Sequence, residues 1–226
     1  NPQLSICMYN MAWWRQYRAS PIYRPPNVVA GHSGGEPIAG FFARSLDEEN
    51  CLKYVFNRGH LMLVANINFK GTMIRIKPLG EKPLSLGKIA GCLKKKTAKN
   101  ETTSWEMANV NSSRQVIASG KIDEADWVIG NLEEGGFLAD ILRNVSGAYH
   151  NSVAMASVKS ALDALFTANL ISIKKPAIRW ALNFTGNFEN DEKKLKVYLP
   201  AQTNHVVEWG EDIEEMFAFG VTEVVE

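Results

Sequence analysis

Apolar and polar positions alternate along this chain with two different periods, and each stretch predicts an element. The run Leu61–Ala65, inside Tyr54–Phe69, is continuously apolar and predicts a buried strand. Before it, Pro37–Tyr54 carries Phe41, Phe42, Leu46 and Leu52 in an amphipathic pattern, helical after the cap-like Ser45-Leu-Asp-Glu. Thr72–Lys77 alternates as a second strand, and Ile178, Trp180, Leu182 and Phe184 as another. Leu195–Leu199 adds a further strand, and His205–Trp209 continues the β content. Asp123–Leu142 reads as one or two helices, with Trp127, Ile129 and Leu132 before Gly135-Gly136, and Phe137, Leu138, Ile141 and Leu142 after it. Val153–Phe166 places Val158, Ala161, Leu162, Leu165 and Phe166 on one helical stripe. Ile213, Met216 and Phe217 predict a short closing helix. Arg residues interleave with Trp13, Trp14, Tyr17 and Tyr23 in a segment that reads as aromatic packing around the body. His32-Ser33-Gly34-Gly35 reads as a loop whose histidine has no partner nameable from sequence.

Composition narrows this to one domain spanning 1–226. At 46% hydrophobic residues the chain is long enough for one sizeable core, or a core with a small appendage, and no run approaches the roughly 18–20 apolar residues of a membrane span. Residues 78–103, rich in Gly, Pro and Lys, read as an inserted basic loop. The formal net charge is +1, but the acidic segment 208–226 holds seven acids and no Lys or Arg, leaving the rest of the chain basic. Three cysteines, Cys7, Cys51 and Cys92, allow at most one disulfide and have no metal-knuckle spacing. The sequons at Asn100, Asn111 and Asn144 are compatible with a secreted glycoprotein, and a fourth, at Asn183, falls in strand-like alternation.

The candidate chemistry lies at Asn57-Arg58-Gly59-His60. A histidine there can serve as a general base, and two residues earlier a guanidinium offers a planar fork suited to phosphate. Arg58-Gly59-His60-Leu61 resembles the signature of the DNA/RNA non-specific endonucleases, the ββα-metal nucleases of the endonuclease G and arthropod double-stranded-RNA-degrading type. Trp105–Gln115, Trp127–Glu133 and Lys174–Leu182 are similar to later blocks of that family, in the same order.

The resemblance implies an α+β fold with a central antiparallel sheet flanked by helices. It implies sugar-non-specific hydrolysis of a DNA or RNA backbone, with His60 activating water, Arg58 assisting, and Mg²⁺ (or Mn²⁺) on the phosphate. Asp123 is the candidate metal ligand, with Asn131 two helical turns on as its support; Lys94, Lys95 and Lys96 would hold the nucleic-acid backbone. The apolar residues after His60 leave open a catalytically inactive homologue that binds polyanions, or acts in storage or assembly, including as a homo-oligomer.

Overall fold

The structure, a computed structural model, describes residues 2–94 and 103–225. Its elements are α1 (Pro2–Arg18), β1 (Val28–Val29), α2 (Glu36–Phe42), α3 (Glu48–Phe69), β2 (Gly71–Pro78), α4 (Leu86–Lys94), β3 (Glu106–Ser112), β4 (Gln115–Lys121), α5 (Ala125–Glu134), β5 (Phe137–Ile141), α6 (Ala156–Thr167), β6 (Arg179–Leu182), β7 (Asn187–Glu189), α7 (Glu192–Ala201) and α8 (Trp209–Ala218). The fold is mixed α+β, with sheets flanked by helices, but two sheets replace the expected central one.

One lobe is built on a three-stranded sheet in the order β1-β6-β7, with β1 and β6 parallel and β6 and β7 antiparallel. Its core gathers Cys7 and Met11 of α1, Cys51, Tyr54 and Met62 of α3, Val158 and Leu162 of α6, and Trp180 of β6. The chain leaves this lobe at Lys70, which takes the left-handed conformation at φ 54. It then builds a β-α-β-β-α-β unit, β2-α4-β3-β4-α5-β5, whose antiparallel sheet has the order β3-β4-β2-β5. This is the split βαβ arrangement of ferredoxin-like units.

Alternation along the strands sorts that second sheet's two faces. Ile74, Ile76, Val116 and Ala118 pack with Ile89 and Leu93 of α4 and Val128 and Leu132 of α5. Met73 and Ile117, on the other face, pack with Ala108, Leu142, Val145 and Tyr149, where the chain returns to the first lobe.

Three expected elements are of the other type. Leu61–Ala65 is helical, in the second half of α3. Asp47 caps that helix through its Oδ1, which accepts from the Asn50 N–H at 2.8 Å, and Glu48 and Glu49 follow in the first turn, where the helix dipole favours acids. Its buried residues, Cys51, Tyr54, Val55, Arg58, Met62 and Ala65, recur with the helical period. The continuous run conceals this because Leu63 and Val64 are exposed on the opposite face. Leu195–Leu199 lies in α7, whose start is capped by Asp191 accepting from Lys193 N–H. Phe137–Ile141 is strand β5, paired along its length with β2.

Candidate active site

The site forms at the seam between the lobes. Strand β1 ends at Val29, and Gly31-His32-Ser33-Gly34-Gly35 turns sharply into a short 3-10 turn that runs on into α2. This G-x-S-x-G sequence between strand and helix is the nucleophile elbow, in which a serine is held on a strained turn with its hydroxyl presented to the site. Ser33 has φ 50, a conformation costly for a residue with a side chain. Gly31 is required by close approach, since a Cβ there would lie 2.1 Å from the Gly35 carbonyl oxygen. The pattern stands in the sequence, and reading residues 32–35 as a plain loop missed it.

The Ser33 hydroxyl donates to His150 Nε2 at 2.6 Å, and His150 Nδ1–H donates to the Gln202 carbonyl at 2.8 Å. A backbone carbonyl thus fixes the tautomer, in the place that a carboxylate takes in a Ser-His-Asp triad. His150 is 3% exposed, and burial, reinforced by the Arg58 charge, pushes its pKa down to about 3. The ring is therefore neutral near pH 7 and free to accept the serine proton.

Arg58 projects from α3 into the same place. Its Nη2 donates to Ser33 Oγ and to Gln202 Oε1, each at 3.3 Å, and its Nη1 donates to Gln3 Oε1 of α1 at 2.6 Å. The side chain is 2% exposed, and among the described residues its Nε has no hydrogen-bond partner and its acceptors are neutral. Burial lowers its pKa, with Tyr54 and Glu36 opposing. A buried guanidinium with no ionic partner is costly, and its planar fork suits a small oxyanion.

Gln202 joins these groups. Its Nε2 donates to the Ser33 carbonyl at 2.8 Å, its Oε1 accepts from Arg58, and its carbonyl orients His150. A cleft of about 420 Å³ opens over Ser33 and His150, walled by Met73, Arg75, Ile117 and Leu142 of the second lobe and rimmed by Asn109, Asn111 and Gln115. His32 Nε2 lies 2.9 Å from Asn111 Oδ1, bracing the elbow against β3.

Of the catalytic, metal-binding and substrate-binding candidates read from sequence, Arg58 alone among the described residues lies at Ser33. His60, two positions on, is exposed on the outer face of α3 beside Phe56. Asp123 is exposed in the turn before α5, while Asn131 is buried in α5 and donates to the Cys92 carbonyl at 3.5 Å. Lys94 is the exposed last residue of α4; Lys95, Lys96 and Asn100 lie outside the described residues. Asn111 sits in the cleft rim, Asn144 is exposed, and Asn183 is buried.

No family model matches the chain. It is 32% identical over 206 residues to the polyketide biosynthesis malonyl CoA-acyl carrier protein transacylase PksC of Bacillus subtilis, which is 89% of this chain and 65% of that protein. The chain thus spans about two thirds of that relative's length. The acyl-carrier-protein S-malonyltransferase of Burkholderia pseudomallei superposes with a TM-score of 0.86 at 24% identity, covering 99% of this chain and 69% of that one. FabD of Acinetobacter baumannii superposes with a TM-score of 0.85 at 26% identity, covering 98% and 67%.

These similarities are to acyltransferases, and they overturn the nuclease resemblance drawn from Arg58-Gly59-His60. Phosphodiester hydrolysis, the inactive nuclease homologue and the DNA or RNA partner go with it. The expected Mg²⁺ or Mn²⁺ goes too: Asp123 and Asn131 serve different surroundings, and among the described residues no three His, Cys, Asp or Glu side chains group closely enough to hold a metal ion.

Proposed function

We propose that this chain carries the acyl-transfer site of a malonyl-CoA:acyl carrier protein transacylase. The observation that carries the reading is one constellation: Ser33 Oγ, 2.6 Å from a neutral buried His150, beside a buried Arg58 with no carboxylate of its own. Nucleophile and base alone would suit many hydrolases. The unpaired guanidinium selects an acyl group that ends in a carboxylate, as malonyl does.

The chemistry is a double displacement. Ser33 Oγ attacks the thioester carbonyl of malonyl-CoA while its proton passes to His150 Nε2. The carbonyl oxygen takes the negative charge, and the N–H of Gly34, the residue after the nucleophile, is the donor that an elbow supplies to it. As the intermediate collapses, the C–S bond breaks and the coenzyme A sulfur leaves with the proton from His150. The serine ester remains, its free carboxylate held by Arg58. In the second half, the thiol of an acyl carrier protein's prosthetic arm gives its proton to His150 and attacks the ester, and Ser33 recovers its proton on leaving. The amide-rich rim of Asn109, Asn111 and Gln115 suits the amides of a pantetheine-type arm.

The test is to incubate the protein with malonyl-CoA and map the adduct by mass spectrometry. One malonyl group on the Ser33 peptide, absent from Ser33→Ala and discharged by a thiol-bearing carrier protein, is expected. Folded protein that reacts at Ser33 with a serine-directed phosphonate but takes no malonyl group would overturn the substrate assignment.

A further inference from the structure

The strained Ser33 is held by a second set of buried groups that take no part in the chemistry above. Asn183 follows β6 and is fully buried. Its Oδ1 accepts from the Ser33 backbone N–H at 2.6 Å and from Gln202 Nε2 at 3.3 Å. Its Nδ2 donates to Asp212 Oδ2 of α8 at 2.8 Å, and its own backbone N–H donates to Glu36 Oε1 at 2.6 Å. One side chain therefore meets the nucleophile's backbone, the residue that orients His150, and a buried carboxyl; its backbone meets a second one.

Direction is what matters in this network. The amide must turn its oxygen toward Ser33 and Gln202, because both present N–H donors. Flipped, it would set N–H against N–H at two contacts. Asp212 prevents the flip by accepting from Nδ2. The bond to Ser33 N–H also occupies that donor, leaving the Gly34 N–H for the oxyanion.

We propose that Asn183 is a positioning residue for the nucleophile, with Asp212 fixing its amide so that Ser33 keeps its left-handed backbone and its hydroxyl stays on His150. This rests on the reading of Ser33 as nucleophile, and not on the identity of the acyl group.

The experiment compares wild type with Asn183→Leu, Asn183→Asp and the double variant Asn183→Asp/Asp212→Asn. It follows the rate of Ser33 labelling by a fluorophosphonate together with malonyl-CoA loading, and checks folding by circular dichroism. The phosphonate carries no carboxylate, so it tests Asn183 even where malonyl loading fails. Asn183→Leu keeps the shape and removes the acceptor, and labelling should fall about a hundredfold. Asn183→Asp sets two carboxyls face to face, and above the pH at which the pair gives up its shared proton its labelling should fall more than about thirtyfold. The double variant restores an acceptor toward Ser33 and a donor from position 212, and should recover to within about fivefold of wild type. A folded Asn183→Leu protein labelled within about threefold of wild type would overturn the proposal. So would a double variant no faster than Asn183→Asp, and that comparison decides the matter if Asn183→Leu does not fold.

Discussion

Replacing Arg58 with Met separates substrate recognition from the rest of the machinery. Met fills much of the space of the Arg stem and lies among Tyr54, Met62 and the other buried residues of α3, so the core is not emptied. What is lost is the fork. In the free site its donors serve Gln3 Oε1, Ser33 Oγ and Gln202 Oε1, all neutral. A malonyl carboxylate would give the cation an ionised acceptor in place of two neutral ones, a gain of about 1.5 kcal/mol per bond. The net preference is then about 3 kcal/mol, and at about 1.4 kcal/mol per factor of ten this is roughly a hundredfold in kcat/KM for malonyl-CoA. Acetyl-CoA, which has no carboxylate, should load onto Ser33 of the variant within about threefold of wild type. Loading from each thioester is measured by quenched-flow mass spectrometry. Equal losses for malonyl and acetyl would show that Arg58 supports Ser33 or His150 rather than the acyl carboxylate, and unchanged malonyl loading would remove Arg58 from recognition altogether.

Gly31→Ala should abolish Ser33 acylation and lower stability by about 3 kcal/mol, because its Cβ meets backbone that has no room to retreat; Gly35→Ala, with open space around it, should melt within a degree or two of wild type by calorimetry. His150 is held neutral with its pKa near 3, so loading at saturating malonyl-CoA should lack the fall that an ordinary histidine gives between pH 7 and pH 5.5, and a midpoint near 6.5 would refute this. Burial raises the Asp212 carboxyl from 3.8 to about 7, with Glu208 and Glu211 adding to the shift and Asn183 opposing it. A raised folded pKa means stability present below 3.8 and lost as pH rises to about 7, so Asp212→Asn should gain on wild type through that window by up to about 1.4 kcal/mol per pH unit and hold its lead above it; urea melts at pH 4.5 and 7.5 that show no widening would contradict the assignment.

The helices and strands were legible where apolar residues recur with one clear period. The α6 stripe and the alternations at Thr72–Lys77 and Ile178–Phe184 fall in elements of the expected type. Reading failed where both faces are apolar or where the partner is distant. Five consecutive apolar residues in α3 look like a strand because Leu63 and Val64 remain exposed against expectation. Leu195-Lys-Val-Tyr-Leu alternates, yet Asp191 starts a helix there. Phe137–Ile141 becomes a strand only because β2 offers it an edge, about sixty residues earlier in the chain.

The site shows the same limit in sharper form. Its nucleophile was written locally, as strand, Gly31-x-Ser33-x-Gly35, helix, and a motif search could have found it. Its base could not have been found so: His150 lies 117 residues from Ser33, and nothing around it in sequence marks it as a base. Arg58 was singled out through a motif that belonged to other chemistry. A guanidinium fork fits a phosphate and a carboxylate alike, so the residue type could not decide between them. The surroundings favour the carboxylate. An Arg aimed at a polyanion backbone needs solvent access and further cations beside it, as phosphate contacts are many and exposed. Arg58 is instead buried, facing neutral oxygens and one serine hydroxyl, with His60 turned away on the opposite side of the helix. Such a cation can serve a single small anion brought to that hydroxyl, and the geometry of one acyl carboxylate meets that requirement.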